Sequence, residues 1–322
     1  MKTFLVITLF SGLLAQLPAS EAIGPQGKVG CLDQPKLVHR LEITLPGVYE
    51  NYRVDAQGKG GNIVKIAADD VILRNCEIFN SSGNGIGIFG NRVVIENCHI
   101  HHLLKGTFQN QDDAHGITGR WGEVTIRHCE ISHTSGDCIQ FDPDRASRGR
   151  VTVEHCHLWS GPLAEDAGGF KAGESPGENA LDTKTPPEGE RCRLIIRHCY
   201  LHGWNQPSQI QNRAALNLKE HIEAEITRCV FDDNEIALRV RGPGGRGDAR
   251  VTVKDCAIYR TQLGIRAEDQ ISHLKLQGLA YGPGVITHLE RHNGKDLPHF
   301  EDTGEHEAPP MATLLKDGFP EK

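Results

Sequence analysis

The most regular feature of the chain is an alternation of apolar and polar residues that recurs around a cysteine. In the segment Val71-Ile-Leu-Arg-Asn-Cys76-Glu-Ile78, apolar side chains occupy every second position up to a two-residue bend before the cysteine. Alternation of this kind is typical of a strand with one buried face. The pattern recurs seven times, around Cys76, Cys98, Cys129, Cys156, Cys199, Cys229 and Cys256, which lie 22, 31, 27, 43, 30 and 27 residues apart. An eighth copy carries Leu279 in the place of the cysteine.

The repeat predicts the fold class. One short strand cannot bury its apolar face alone, whereas stacked copies about 4.8 Å apart can form a continuous core. The spacing of 22 residues sets the basic turn, and the longer spacings indicate loop insertions. We therefore predict an all-β, single-domain right-handed parallel β-helix, a solenoid with about eight or more rungs.

The cysteines of the repeat predict an internal ladder of reduced thiols, because free cysteine packs as a small apolar residue. Disulfides between neighbouring rungs are the alternative. Cys138 falls at an inward position of another strand, so we expect it to pack in the core as well. Cys31 and Cys192 lie outside the repeat and are either free or bridged to each other.

A second strand follows each cysteine, as in Asn179-Ala-Leu-Asp-Thr-Lys184. Its fourth and sixth residues face away from the core, because side chains alternate along a strand. These outward positions form two columns across the rungs. The first column is Gly87, Thr118, Gln140, Asp182, Asn217, Arg239 and Arg266, and the second is Phe89, Arg120, Asp142, Lys184, Lys219, Arg241 and Glu268.

Three insertions lengthen the connection between the cysteine and this second strand. They cover residues 101–114, 159–178 and 202–213. Long loops on a rigid scaffold often carry function, and these three emerge on one edge beside the polar columns. We expect them to form a wall along a groove. The aromatic rings of Phe170 and Trp204 would either stack on a ligand or fix the loops to the helix.

The second column places three basic residues on successive rungs, which predicts acid–base chemistry. The backbones of Lys184, Lys219 and Arg241 should lie about 5 Å apart. Like charges at that distance favour loss of a proton, and a neutral lysine is a competent general base. Lys219 has a cation on both sides and is the first candidate, followed by Lys184.

Acidic residues converge on the same face and predict a metal site. Asp137, Asp142, Glu178 and Asp182 would repel one another unless they share a cation, and hard oxygen ligands suit calcium. The alternative is a set of solvated surface acids. The remaining polar positions are candidate substrate-binding residues, namely His115, Arg120, Gln140, Asn217 and Arg266.

Calcium beside cations in an open groove suits an anionic polysaccharide as the binding partner. It also suits β-elimination of uronic-acid polymers, in which a base removes the proton next to a neutralised carboxylate. In this hypothesis the acids hold calcium, and Arg239 and Arg241 bind the substrate carboxylate. Lys219 or Lys184 then removes the proton.

A resemblance points in the same direction. The segment Gly177-Glu-Asn-Ala-Leu-Asp-Thr-Lys184 is similar to the Gly-Glu-Asp-Ala-Leu-x-x-Lys stretch of one pectate lyase family. The rung pattern resembles the right-handed β-helix polysaccharide lyases of the pectate-lyase-like superfamily over about residues 60–285. That resemblance implies calcium-binding acids, with lysines and an arginine on following rungs as catalytic candidates. Asn179 replaces the second acid of the motif, and Asp182 supplies one three residues later.

Three other functions remain open. A glycoside hydrolase would depend on Asp137, Asp142 or Asp182 rather than on lysine, and an epimerase would change the sugar configuration without cleavage. A non-catalytic carbohydrate-binding protein would only bind. The Asp-x-His and Gly-Asp-Asp-Cys motifs of such enzymes are matched only in part, around His115 and Cys138.

The two ends of the chain and its net charge predict the location, the domain bounds and the partners of the protein. Residues 1–22 have the short basic start, apolar run and small residues of a secretory signal, which predicts a secreted or periplasmic protein. Residues 23–285 would form the catalytic β-helix, and residues 286–322 a polar C-terminal extension. The net charge of −7 argues against a nucleic-acid partner, and no later apolar run is long enough for membrane insertion. We expect a monomer.

Overall fold

The computed structural model describes residues 22–142, 148–242, 247–268, 271, 273–291 and 299–319. The predicted signal sequence, apart from Ala22, lies outside these residues. In the described part of the chain the regular structure consists of 33 strands and one helix. Three long sheets contain 11, 10 and 10 strands, and we name them sheets A, B and C. All pairings within these three sheets are parallel, so the chain winds as a coil.

The strands fall into the three sheets as follows. Sheet A contains β1 (Lys36–Val38), β4 (Tyr52–Asp55), β7 (Glu77–Ser81), β10 (His99–Leu103), β15 (Glu130–Thr134), β18 (His157–Trp159), β21 (Tyr200–His202), β24 (Val230–Asp232), β27 (Ala257–Tyr259), β30 (Leu279–Tyr281) and β33 (Glu305–Glu307). Sheet B contains β2 (Leu41–Ile43), β5 (Val64–Ile66), β8 (Ile86–Ile88), β13 (Ile117–Arg120), β16 (Ile139–Asp142), β19 (Leu181–Thr183), β22 (Ala214–Leu218), β25 (Ile236–Arg241), β28 (Leu263–Glu268) and β31 (Thr287–Arg291). Sheet C contains β3 (Gly47–Glu50), β6 (Val71–Arg74), β9 (Val93–Glu96), β14 (Val124–Arg127), β17 (Arg150–Glu154), β20 (Cys192–Arg197), β23 (Ile222–Thr227), β26 (Arg250–Lys254), β29 (His273–Gln277) and β32 (Phe300–Asp302). A small hairpin of β11 (Lys105–Gly106) and β12 (Gln111–Asp112) and the helix α1 (Met311–Asp317) lie outside the sheets.

Each turn of the coil follows the sequence repeat. A strand of sheet C carries the alternating residues, the cysteine opens a strand of sheet A, and the next strand belongs to sheet B. Between the first two strands, the residue before the cysteine takes the left-handed conformation, with φ of 53° at Asn75 and 53° at Asn97. Asparagine tolerates this conformation better than most residues, so the bend that the sequence indicated is built into the chain.

The cysteine ladder is confirmed. All seven cysteines of the repeat are free thiols with an exposed fraction of 0%. Most donate a hydrogen bond to the carbonyl two residues earlier, as Cys98 Sγ does to Glu96 O at 3.3 Å. Cys138 is also buried, and burial raises the pKa of its thiol to about 12. Cys31 and Cys192 are both free, so the bridge left open by the sequence is not formed.

Three histidines that precede ladder cysteines stack at one corner of the coil. The ring centroids of His128 and His155 are 5.0 Å apart, and those of His155 and His198 are 4.8 Å apart. The start of the described chain lies against this stack, because the backbone N–H of Gln26 donates to His128 Nδ1. These rings therefore serve as a packing surface.

The coil continues beyond residue 285. Strands β31, β32 and β33 add one strand to each sheet, so the region expected to be an extension begins with a further turn. Helix α1 then packs against the outside of sheet A through Leu314, beside Val230 and Ala257. Among the described residues, no helix has the length and apolar character required to cross a membrane.

The burial of the ladder generates a prediction about thiol reactivity. In the native protein, a thiol reagent should modify Cys31, which is partly exposed, and leave the ladder cysteines intact, because burial raises the pKa of thiols such as Cys98 and Cys156 and blocks access. In denaturant all ten cysteines should react. Mass spectrometry after alkylation measures both states. Rapid native labelling of Cys98 or Cys156 would contradict the buried ladder.

Candidate functional site

The first outward column of sheet B has the register that the sequence predicted. Gln140 pairs with Thr118 on one side and with Asp182 on the other, and Asn217 and Arg239 follow on the next two strands. In the second column, Arg120 pairs with Asp142. Backbone pairing therefore brings the predicted polar residues onto one face of sheet B.

The centre of this face is an ion pair between Asp182 and Lys219. Lys219 Nζ lies 2.7 Å from Asp182 Oδ2, and the two side chains are only 5% and 3% exposed. Thr183 fixes the backbone beside them, because its hydroxyl accepts a hydrogen bond from the N–H of Lys219 at 2.8 Å. The nearest charged partner of Lys219 is thus a carboxylate. The expectation that cations on both sides would dominate its surroundings is not met.

The arginines of the columns converge on Glu268. Arg239 Nε lies 2.5 Å from Oε1 of this carboxylate, Arg241 Nε lies 2.7 Å from Oε2, and Arg266 Nε lies 3.8 Å from Oε1. Burial opposes ionisation of Glu268, but the bond from Arg239 and the charges of all three arginines hold its pKa below the usual value. Arg239 and Arg241 were predicted to bind a substrate carboxylate, and here a carboxylate of the protein occupies that position.

A ladder of polar side chains runs along one corner of the coil, two residues before five successive strands of sheet B, β5 to β19. Asn84 Nδ2 donates to Asn62 Oδ1 at 3.0 Å, and Asn84 Oδ1 accepts from the N–H of His115 at 2.9 Å. Further along, Asn179 Nδ2 donates to Asp137 Oδ1 at 2.8 Å. Asp137 has an exposed fraction of 0%, so this predicted metal ligand belongs to the interior corner rather than to the open face.

His115 links the corner ladder to the groove. Its Nδ1 accepts the backbone N–H of Asp137 at 3.0 Å, so the neutral ring carries its proton on Nε2. That atom lies 3.0 Å from the amide of Gln140 and 3.8 Å from Asp113 Oδ2. Burial lowers the pKa of His115 to about 4, against the opposing charge of Asp113. A neutral imidazole therefore faces the groove near neutral pH.

The acids predicted to bind calcium share an electrostatic environment. Burial and the nearby charge of Asp182 raise the pKa of both Asp137 and Glu178. However, the described acids do not bring three ligand oxygens within 4.8 Å of one another. Asp142 continues the strand, but its side chain lies outside the described residues. A calcium ion takes six to eight oxygen ligands, and this set by itself does not provide such a cage.

Two of the predicted cations, Lys184 and Arg120, can be reached from solvent. Lys184 follows β19 directly and is partly exposed, and its carbonyl accepts a hydrogen bond from Trp121 Nε1 at 2.8 Å. Arg120 is exposed, with its guanidinium 5.8 Å from the ring centroid of Phe89. By contrast, Asn217 is 5% exposed. The structure thus separates a buried polar layer from two basic side chains that a ligand can reach.

Two of the insertions pack against each other. Leu104 of the first insertion packs against Leu163 and Phe170 of the second, and Gly177 N donates to Gln111 Oε1 at 2.8 Å. Phe170 and Trp204 are each 1% exposed. Both rings therefore pack within the protein. Trp204 joins its loop to the core of the helix, and Phe170 joins the second insertion to the first.

A second polar concavity lies on sheet C, where the sequence analysis identified no site. It is lined by charged and polar residues that include Arg150, Arg193, Glu223, Arg250 and His299. The missed signal is visible in the sequence, since these residues occupy outward positions of the ladder strands. Neighbouring acids pair with some of the arginines, as Glu123 does with Arg150 at 2.9 Å.

Comparison with known proteins supports the fold. The family described as right handed beta helix region matches residues 50–169. An alginate lyase from Paenibacillus sp. str. FPU-7 superposes with a TM-score of 0.50 at 14% sequence identity, over 87% of this chain and 86% of that one. The pectate lyase Pel9A superposes with a TM-score of 0.50 at 13% identity, over 88% and 69% of the two chains. No curated protein sequence matches the chain.

At these identities the likeness concerns the fold alone. The prediction of a single-domain right-handed parallel β-helix, of the kind found in polysaccharide lyases, is confirmed.

Proposed function

We propose that the protein is a polysaccharide lyase that cleaves a uronic-acid polymer, of the pectate or alginate type, by β-elimination on the outer face of sheet B. One observation carries this proposal. The buried Asp182–Lys219 ion pair lies beside the partly exposed Lys184, which follows Asp182 by two residues along the chain. A base, a fixed positive charge and a polar groove are the elements that such a reaction requires. Both structural relatives are lyases of acidic polysaccharides by name, which agrees with this choice.

In this mechanism, Lys184 removes the proton next to the substrate carboxylate. We prefer Lys184 over Lys219, because Lys219 is nearly buried and donates to Asp182 at 2.7 Å. The ammonium of Lys219 then provides positive charge beside the developing negative charge, and Asp182 holds it in place. Arg120, two strands away in the same column, binds a carboxylate on a neighbouring sugar unit. The carbon–oxygen bond to the leaving sugar breaks as the double bond forms; its electron pair stays on the leaving oxygen, and that oxygen takes up a proton from water.

Calcium remains a proposal within this function. The described acids do not form a cage, so none of the steps above depends on a metal ion. Calcium would supply neutralisation of the substrate carboxylate, with Glu178 and Asp182 as the nearest protein oxygens. The dependence of activity on calcium is therefore a separate measurement from the activity itself.

The lyase proposal predicts unsaturated products from an acidic polysaccharide. Pectate, alginate and glycosaminoglycans are incubated with the protein, with calcium and with a chelator, and absorbance in the near ultraviolet is followed. Lys184→Ala should lower the rate by roughly 100-fold or more, the usual effect of removing a general base. Lys219→Met should also lower it, and Lys219→Arg should restore part of the loss by retaining the charge.

The matched control is Lys65→Ala. Lys65 lies on the same face of sheet B but four strands away, where it pairs with Glu42 at 2.8 Å. This variant should keep its activity. If no substrate gives unsaturated products, or if Lys184→Ala and Lys65→Ala behave alike, the proposal is wrong.

A second candidate function is hydrolysis, and one observation favours it. Glu178 has a raised pKa, caused by burial and by Asp182, whereas Asp182 is paired with a cation. Two carboxyl groups held in different protonation states are the arrangement that glycoside hydrolases use. In that case Glu178 would protonate the leaving oxygen.

The pH profile separates the two functions. A lysine base gives a rate that rises towards alkaline pH. A Glu178 acid gives a rate that falls as the pH rises through its raised pKa, because the protonated form is lost. Reducing-end and absorbance assays are run in parallel from acid to alkaline pH on wild type and Glu178→Gln. A falling profile that disappears in Glu178→Gln, with reducing ends and no absorbance, would establish the hydrolase.

The proposal leaves Asp137 with a structural role in the corner ladder. Burial and the charges of Asp182 and Glu178 raise the pKa of Asp137, so the folded state holds a proton more tightly than the unfolded chain. Stability from this group is present at low pH and is lost as the pH rises through the raised pKa. Asp137→Asn matches its ladder neighbours Asn84 and Asn179 and should be more stable than wild type at neutral pH.

Urea unfolding at neutral and acidic pH measures this effect. The difference between Asp137→Asn and wild type should shrink as the pH falls below the unfolded-state pKa, since both side chains are then neutral. Activity should be retained. Loss of activity with unchanged stability would instead place Asp137 in the reaction.

A further inference from the structure

A cluster of imidazoles and carboxylates lies on the outer face of sheet A, away from the groove on sheet B. Its centre is formed by Glu77, His99 and His101, whose ligand atoms all lie within 4.8 Å of one another. Among the described residues, this cluster is the place where three candidate ligand groups lie within 4.8 Å of one another.

The fold itself brings the three side chains together. His99 and His101 are two residues apart on β10, so their side chains point to the same face. Glu77 on β7 is the backbone partner of His99 in the adjacent turn. The arrangement is therefore held by in-register pairing of two strands rather than by a loop.

Neighbouring side chains orient the ligand atoms. Arg53 Nε pairs with Glu77 Oε2 at 2.8 Å, which leaves Glu77 Oε1 at 3.4 Å from His101 Nε2. On the other side, Glu130 Oε1 lies 3.9 Å from His99 Nε2 and adds a second carboxylate to the cluster. Contacts of this kind, which fix ligands from behind, are typical of metal sites.

A hydrogen bond to a neighbouring ring orients one of the candidate ligands. His101 Nδ1 lies 2.7 Å from His102 Nδ1, so one of these two nitrogens accepts a hydrogen bond from the other. When His101 is the donor, its Nε2 offers a lone pair towards Glu77.

One imidazole beside the cluster lacks a polar partner. His133 stacks next to His102 with ring centroids 5.0 Å apart, and neither of its ring nitrogens has a hydrogen-bond partner among the described residues. A buried imidazole without a partner is costly. Packing alone would be served better by apolar side chains.

We propose that Glu77, His99 and His101 form a binding site for a divalent transition-metal ion of the zinc class. Two imidazoles and one carboxylate are ligands that zinc takes, and three protein ligands leave a fourth position open for water or another ligand. The ion would join two successive turns of the coil. This site is separate from the groove, so the inference stands independently of the proposed lyase activity.

The test is a zinc titration of the full chain prepared without a histidine tag. Isothermal titration calorimetry should show one equivalent of Zn²⁺ bound by wild type, and the temperature of unfolding should rise with zinc. His101→Gln and Glu77→Gln should each weaken binding at least tenfold. Co²⁺ should give visible absorption bands with wild type and not with His101→Gln.

Two matched control variants each remove an imidazole from another part of the protein. His128→Asn lies in the stacked corner, where asparagine occupies the equivalent place on other turns, and His202→Gln lies further along sheet A. Both should bind zinc as wild type does. Glu77 is 23% exposed, so Glu77→Gln keeps the test valid if His101→Gln disturbs packing against Phe79. The proposal is overturned if wild type binds no zinc, or if the controls weaken binding as much as the cluster variants.

Discussion

In-register parallel pairing between successive turns is the constraint on which the rest of the structure depends. Every strand of sheets A, B and C bonds to the equivalent strand one turn away, so each residue type is stacked on its counterpart. Inside the coil, the stacked cysteines show this register. Their thiols fill the same corner in seven turns, and a shift of one residue would turn buried side chains outward.

The same stacking converts isolated side chains into arrays with collective properties. Asparagines at one corner form a hydrogen-bonded ladder. The aspartate at the equivalent position of another turn is buried because of that position. On the outer face, acidic and basic residues one turn apart become ion pairs, as with Asp182 and Lys219 at 2.7 Å. On sheet A, stacking gathers histidines into the Glu77 cluster. Each feature arises from one lateral spacing of about 4.8 Å.

Part of the candidate site could be predicted from the sequence because alternation along a strand fixes which side chains face outward. The column of Gln140, Asp182 and Asn217 follows from this rule. The rule does not give the direction that a long side chain takes beyond Cβ. Lys219 was expected among cations and instead turns to Asp182, and Arg239 and Arg241 turn to Glu268. Opposite charges one turn apart attract each other and like charges repel, so these basic side chains turn towards carboxylates.

The sequence by itself determined the fold class, the register of the turns, the reduced cysteine ladder and the set of polar side chains that share the outer face of sheet B. These depend on backbone pairing and on apolar periodicity, which are local and repeated. The tertiary structure alone decided that Asp137 is interior, that Phe170 and Trp204 fix loops, and that Glu77, His99 and His101 meet. Those outcomes depend on side-chain conformations and on insertions that differ from turn to turn, for which a repeat carries no information.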